Sequence, residues 1–427
     1  MLRSVTTTSP AGCADIVLEY GITGTPVIDL SSPQTIYLVA STTESGNQFQ
    51  RLHALSLATG AEQAHSPMAI TATVAGTGDG ASSVIFNPLY ENQRAGLALS
   101  NGSVFIAWSS HCDHNTWHGW VMSYDKTALT QTAVFNSTPN GSAGGIWMSG
   151  GAPAIDSNGN LYVPTGNGTF DDTHNVVPPA APLDDFGESF VNLNPTTLAV
   201  QDFYTPSQNA SWSAQDLDLA SAGVTVLPDG TGPTGHPNVL VGSDKQGHLW
   251  MIDRTQMSQF SPTANNTVQY LTLPEVASCV ADQQCVYSTP GYWNGTLYIA
   301  IEHGSVMALP LSAGLLPASA QLIAVPASES VETYEFPSPT PSISAAPSGG
   351  GIVWVLDTSR NGTDGGSSGP AILRAYDATN LGSTLYSSAT LPADAAGNAT
   401  KFMLPVVANG HVYVAGSGTL TVYGLAP

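Results

Sequence analysis

Three of the ten histidines fall within eight residues, at His111, His114 and His118, with Asp113 among them. Imidazoles grouped with a carboxylate form a donor set for a divalent metal, calcium or a transition ion. His111, Asp113 and His114 are therefore candidate metal ligands. The same rings titrate near neutrality, so His111 or His118 also reads as a general base. A base needs a proton donor opposite it, and Tyr20 and Tyr287 are the candidates. The spacing lacks the helical frame of an H-E-x-x-H site, and the third reading is a loop held by its own hydrogen bonds.

Cations are scarce. Lys and Arg number 9 against 31 Asp and Glu in 427 residues, a formal net charge of −22. Against that background Arg94, Lys245, Arg360 and Lys401 stand out as candidates for holding an anionic group, or for balancing nearby acids. Trp147 offers a face for a sugar or a planar cofactor, or else a buried packing surface. Asn167, Asp171, Glu302 and His303 complete the candidate ligand-binding set. The same charge balance excludes nucleic acid and anionic membrane surfaces, which need clustered Lys and Arg. No apolar run reaches the roughly 18 residues of a membrane span. The partner expected is a small polar molecule or a polysaccharide, and the chain is expected to be a monomer.

These residues must be positioned by something, and the sequence repeats itself. Asn-Gly pairs begin at Asn101, Asn158, Asn294 and Asn409, each followed by an alternating strand. Asn-Gly accepts positive φ at both turn positions, so each pair marks a hairpin. Degenerate copies begin at Thr35, Pro237 and Gly351. A small-residue strand precedes every copy, starting near Thr25, Gly96, Gly151, Gly223, Thr289, Thr340 and Leu404. Another follows every copy, starting near Leu52, Gly119, Glu188, Gly247, Gly304, Ala371 and Gly418. Asp125, Asp156, Asp253 and Asp377 end strands and are expected to bond the turns that follow.

Each count gives seven. The prediction is an all-β, single-domain, seven-bladed β-propeller with four-stranded antiparallel blades. The blades are placed at residues 23–70, 94–136, 151–204, 222–273, 288–325, 338–390 and 402–427. Residues 2–8 are expected to join the last blade and close the ring, removing exposed edges. Loops between strands 2 and 3, and those leading into strand 1, share one face in such a fold. All the candidates above fall on those loops, so a central pocket on that face is the expected site.

Cys279 and Cys285 flank a short polar loop and are read as a local disulfide. Pairing of Cys13 with Cys112 is expected too, although spacing alone does not fix it. No C-x-x-C pair signals structural zinc. Charged residues make up only 9% of a chain rich in Ser, Thr and Asn, which reads as an exported surface. The first residues lack a signal-peptide core, so a mature secreted or periplasmic chain is expected.

The segments 20–29 (YGITGTPVID), 145–156 (GIWMSGGAPAID) and 165–170 (TGNGTF), with the L-x-A-L/Y stretches at 52–60 and 374–379, resemble the pyrroloquinoline-quinone-like repeat of secreted bacterial quinoprotein-like propellers. The resemblance implies a propeller that binds or processes a polar ligand, a carbohydrate first. In lyase- or hydrolase-like chemistry His111 or His118 would be the base. Arg94 or Lys245 would neutralise a substrate carboxylate, and Tyr20 or Tyr287 would protonate the leaving oxygen. One alternative it implies is a quinone-dependent sugar or alcohol dehydrogenase with calcium, in which Asn167 would be a metal ligand and Asp171 an acid. Such enzymes typically have eight blades, and the best-known ones carry adjacent cysteines, which are absent here. The quinone is thus the less favoured cofactor. The other alternative is a non-catalytic scaffold or protein-binding propeller.

Overall fold

The computed structural model describes residues 13, 15–16, 20–171, 184–279 (backbone only at 278 and 279), 285–346, 349–362 and 368–424. Seven sheets of three to five strands succeed one another along the described residues, with a two-stranded hairpin of Thr73–Ala75 and Ser83–Ile85 between the first two, and the fold is that of a seven-bladed β-propeller. The first blade shows the pattern, a meander of Val27–Asp29, Thr35–Glu44, Asn47–Ser56 and Met68–Ala69. The expected strand triplets recur in all seven sheets. In blade 7 they are Val406–Ala408, His411–Gly416 and Thr419–Tyr423. The expected closing strand, 2–8, lies outside the described residues.

Two compact bodies divide the chain. Residues 1–220 with 257–266 carry blades 1 to 3, and residues 221–256 with 267–427 carry blades 4 to 7. Within each body the apolar faces meet between neighbouring blades. Leu52, Val104, Ile106, Trp108, Trp120 and Met122 fill the space between blades 1 and 2, all fully buried. The indole of Trp108 spends its only donor on Gln50 Oε1 at 2.7 Å, so its burial leaves no polar group stranded. Leu249, Met251, Leu297, Ile299 and Met307 do the same between blades 4 and 5.

The repeat motifs have visible work. The motif tyrosine of strand 2 reaches into the next blade: Tyr37 Oη donates to Lys126 O at 2.9 Å, and Tyr298 Oη to Ala378 O at 2.8 Å. The strand-ending aspartates close turns as expected. Asp125 Oδ1 accepts from the amides of Thr127 and Ala128, and Asp377 Oδ1 from that of Thr379. Asp156 Oδ1 accepts from Asn158 and Asn160 in the same way.

Two features depart from a plain meander. In blade 2 the inner edge is split, with Ala98–Ser100 and Glu91–Asn92 pairing to opposite ends of Ser103–Ser110. In blade 3 a fifth strand, Gln259–Phe260, adds in parallel to Val200–Thr205. A disulfide joins Cys13 to Cys112. Cys285 is also disulfide-bonded. The side chain of Cys279, its expected partner, lies outside the described residues.

Candidate ligand site

The first body brings together three residues proposed from sequence as ligand contacts: Arg94, Trp147 and Asn167. Trp147 is half-buried and leads into the inner strand of blade 3. The Arg94 guanidinium lies over its ring, 5.2 Å from the centroid, and Arg94 Nη2 also donates to Ser149 Oγ. The buried Trp117 meets the same indole edge-on, centroids 6.1 Å apart and planes at 68°. Met148 beside it holds φ at +44°, a left-handed conformation that a long side chain rarely adopts. Strain of that kind costs on the order of 1–3 kcal/mol and persists only where the surroundings impose it.

Glycines make the room. Gly166 N donates to Gly145 O at 2.9 Å, holding two loops flat against the indole. A Cβ at Gly145 would stand 3.1 Å from Trp147 Nε1, and one at Gly166 would collide with Asp218 Oδ1. Asn167 follows directly. Its amide donates to Asp218 Oδ1 at 2.7 Å and its Nδ2 to Asp216 Oδ1 at 2.6 Å. Asn167 Oδ1 and Trp147 Nε1 are both buried and have no hydrogen-bond partner. An aromatic face, a guanidinium, one orphan acceptor and one orphan donor thus lie together. Trp117, Ser149, Asp216 and Asp218 were not singled out from sequence. Asp216 and Asp218 sit in a loop after the short helix Asn209–Ser213, more than a blade away in sequence, and nothing local marks them.

The expected metal trio is not assembled. Asp113 turns its carboxylate to Ser110 Oγ at 2.5 Å, and among the described residues the donor atoms converging on His111 belong to Cys13 and Asp15. His114 is not in that group. His111 is fully buried, with Nδ1 2.8 Å from Asp15 Oδ2 and its ring 4.8 Å from that of Tyr20. His118 is buried as well, with Nδ1 2.9 Å from Thr138 Oγ1 and Nε2 3.4 Å from Asp79 Oδ1. Burial lowers its pKa despite Asp79, so the ring favours its neutral form. Its backbone amide donates to the buried Glu91, whose own pKa burial pushes well up.

Asp171 serves the long blade-3 loop, accepting from the amides of Asp184 and Asp185 at 3.2 and 3.1 Å. Residues 172–183 of that loop lie outside the described residues. Burial raises the Asp185 carboxyl from 3.8 to about 6, helped by the charges of Asp171 and Asp184 and opposed by the amide of Asn140. The folded state therefore binds the proton more tightly than the unfolded chain. The stabilisation that Asp185 contributes is full below about pH 4 and is lost as pH rises through about 6, by at most about 3 kcal/mol. Asp185→Asn keeps the acceptor for Asn140 and should flatten this fall. Melting temperatures at pH 4 and pH 7 for both proteins are the check.

The second body holds Tyr287, Lys401, Glu302, His303 and Lys245. Tyr287, Phe336 and Phe402 form a triad of rings, with centroids 5.0 to 6.2 Å apart. Lys401 Nζ caps it, 4.6 Å from the Phe336 centroid and 5.5 Å from that of Phe402. Glu302 is buried, and His303 lies 3.6 Å from it while its Nδ1 meets Glu335 at 2.6 Å. Lys245 is buried, its carbonyl accepting from the amide of Cys285 at 2.5 Å. Its neighbour Asp244 is fully buried and accepts from Trp250 Nε1 at 2.8 Å and His248 Nδ1 at 2.9 Å.

The class of protein is therefore a disulfide-bonded, seven-bladed β-propeller with an aromatic and polar cluster in its first body. No protein-family model and no curated relative matches the sequence. Among solved structures, BamB from Moraxella catarrhalis is similar, with 14% identity, a TM-score of 0.52 and coverage of 98% of this chain and 93% of that one. A quinohemoprotein alcohol dehydrogenase, ADHIIG from Pseudomonas putida HK5, is 16% identical with a TM-score of 0.48. It is covered over 62% of its length by 91% of this chain. At 14% identity the likeness to BamB expresses a shared fold, in keeping with the propeller repeat read from the sequence.

Proposed function

We propose that the Trp147 cluster binds a saccharide. The observation that carries this reading is the half-buried indole with the Arg94 guanidinium at 5.2 Å and the unpartnered Asn167 Oδ1 beside it. Sugars present an apolar face of C–H groups and a rim of hydroxyls, and a flat ring edged by orphan polar atoms complements both. The disulfides favour an oxidising compartment, which supports a secreted or periplasmic setting. Among the described residues no helix is long and apolar enough to cross a membrane.

Binding rather than turnover is the reading, because the histidines expected as bases are buried against Asp15 and Asp79. Pyrroloquinoline quinone fits poorly. It is a tricarboxylate, and around Trp147 the described groups are one guanidinium and the carboxylates of Asp216 and Asp218.

The test is a melting-temperature screen with neutral and uronic acid oligosaccharides, and with the quinone plus calcium as a separate arm. A ligand that binds the native state at a hundred times its Kd stabilises it by about 2.7 kcal/mol. A rise with one saccharide class, lost in Trp147→Ala, supports the proposal. A rise with the quinone alone replaces it with a cofactor site.

A further inference from the structure

The Cys13–Cys112 disulfide sits on an unusual set of neighbours. Cys13 Sγ lies 2.8 Å from Asp15 Oδ1, and Asp15 Oδ2 lies 2.8 Å from His111 Nδ1. Donor atoms of Cys13, Asp15 and His111 all fall within 4.8 Å of one another. Cys112 directly follows His111 in the chain and brings the second sulfur to the same place. His111 is fully buried, yet its Nε2 has no hydrogen-bond partner. An imidazole desolvated with an unused lone pair or N–H is costly unless something uses it.

While the sulfurs are bonded to each other neither is a thiolate, and the set cannot hold a soft metal. We propose that the disulfide masks a transition-metal site. On reduction the two cysteines, His111 and Asp15 bind one zinc-class divalent ion. The step balances simply. A dithiol gives two electrons and two protons to the S–S bond and becomes a disulfide itself, leaving two thiols on the protein. Zn²⁺ then displaces both thiol protons. Two thiolates, one imidazole and one carboxylate make a four-coordinate donor set suited to zinc.

The bond is reachable. Cys112 is exposed and Cys13 half-buried, the setting in which exposed disulfides are exchanged rather than held as inert staples. The metal would replace one cross-link by another, tying the segment around Cys13 to the blade-2 loop in both redox states. This site is independent of the Trp147 cluster, and neither reading depends on the other.

The experiment uses the full chain. It is treated with a phosphine reductant, which does not compete for zinc, then freed of excess and titrated with Zn²⁺ and separately Co²⁺. The reduced protein should take up about one zinc per chain, and the oxidised protein none. Cobalt should give thiolate-to-metal absorption in the near ultraviolet. His111→Ala, which keeps every cysteine, should weaken uptake at least about tenfold, since even outer-shell partners of a metal are worth that much. Cys285→Ser should leave uptake unchanged. Should Cys13→Ser fail to fold, His111→Ala with an unaltered circular dichroism spectrum carries the test alone. Absence of uptake after reduction overturns the proposal. So does uptake that ignores His111→Ala or disappears in Cys285→Ser.

Discussion

Replacing Trp147 with alanine is expected to weaken saccharide binding at least about thirtyfold, the loss of roughly 2 kcal/mol typical of a buried aromatic anchor. Trp147 is the half-buried indole of the cluster, whereas Trp117 beside it is buried. Gly145 and Gly166 approach it closely, and Arg94 lies over it. Trp147→Ala removes the platform and the partner of the guanidinium together. Trp147→Phe should recover part of the affinity, because it keeps a ring while losing the Nε1 donor. The melting temperature without ligand should change little, since Trp147 is only half-buried. Affinity for the best saccharide, measured alongside that melting temperature, separates loss of a contact from loss of the fold.

Asp244→Ala should be the more damaging change to stability, costing about 3–5 kcal/mol. Asp244 is fully buried at the end of strand 2 of blade 4 and answers three donors: the indole of Trp250, Nδ1 of His248 and the amide of His248. Burial disfavours the imidazolium of His248, but the charge and hydrogen bond of Asp244 outweigh it and raise its pKa. Removing the carboxylate strands the partly buried imidazole of His248 and a fully buried indole N–H at once. Asp244→Asn should cost less, because an acceptor remains. The raised His248 pKa fixes the sign of the pH dependence. Its stabilisation is complete below about pH 6.5 and is lost as pH rises through the folded value. The difference between wild type and Asp244→Asn should therefore be larger at pH 5 than at pH 9. A fall in Tm of roughly 3–6 °C for Asp244→Ala is the expected reading.

The blades were legible because their signals are local. An Asn-Gly turn between alternating strands depends on a dozen neighbouring residues, and all seven triplets fall within a few positions of where the repeats place them. The tyrosine of the repeat could be read as a strand residue, but not as a hand reaching the carbonyl of Lys126 or Ala378 in the next blade. Strand Gln259–Phe260 was illegible for the same reason. It is two residues long and falls in sequence between strands of blade 4, while its partner, Val200–Thr205, belongs to blade 3. The candidate site divides along this line. Arg94, Trp147 and Asn167 are unusual residues on predicted loops and stand out in the sequence itself. Asp216, Asp218 and Ser149 are ordinary residues made relevant by long-range packing. The histidine cluster misled, because closeness in sequence put His111, Asp113 and His114 together, while a tight turn with left-handed Cys112 and Asp113 directs Asp113 to Ser110 instead. The residue that does meet His111, Asp15, is nearly a hundred positions away.

The central claim is that a saccharide stacks on Trp147, and the indole N–H resonances report it most directly. The chain has eight tryptophans, so the ¹H–¹⁵N spectrum holds few indole signals, and Trp147→Phe assigns the one that matters. On titration with the best oligosaccharide from the screen, the Trp147 signal should move in a saturating, concentration-dependent way. Trp117, packed against it, should follow with a smaller shift, and the fully buried Trp108, Trp120 and Trp250 should stay still. Saturable binding with the Trp147 resonance unmoved would contradict the account and place the ligand elsewhere.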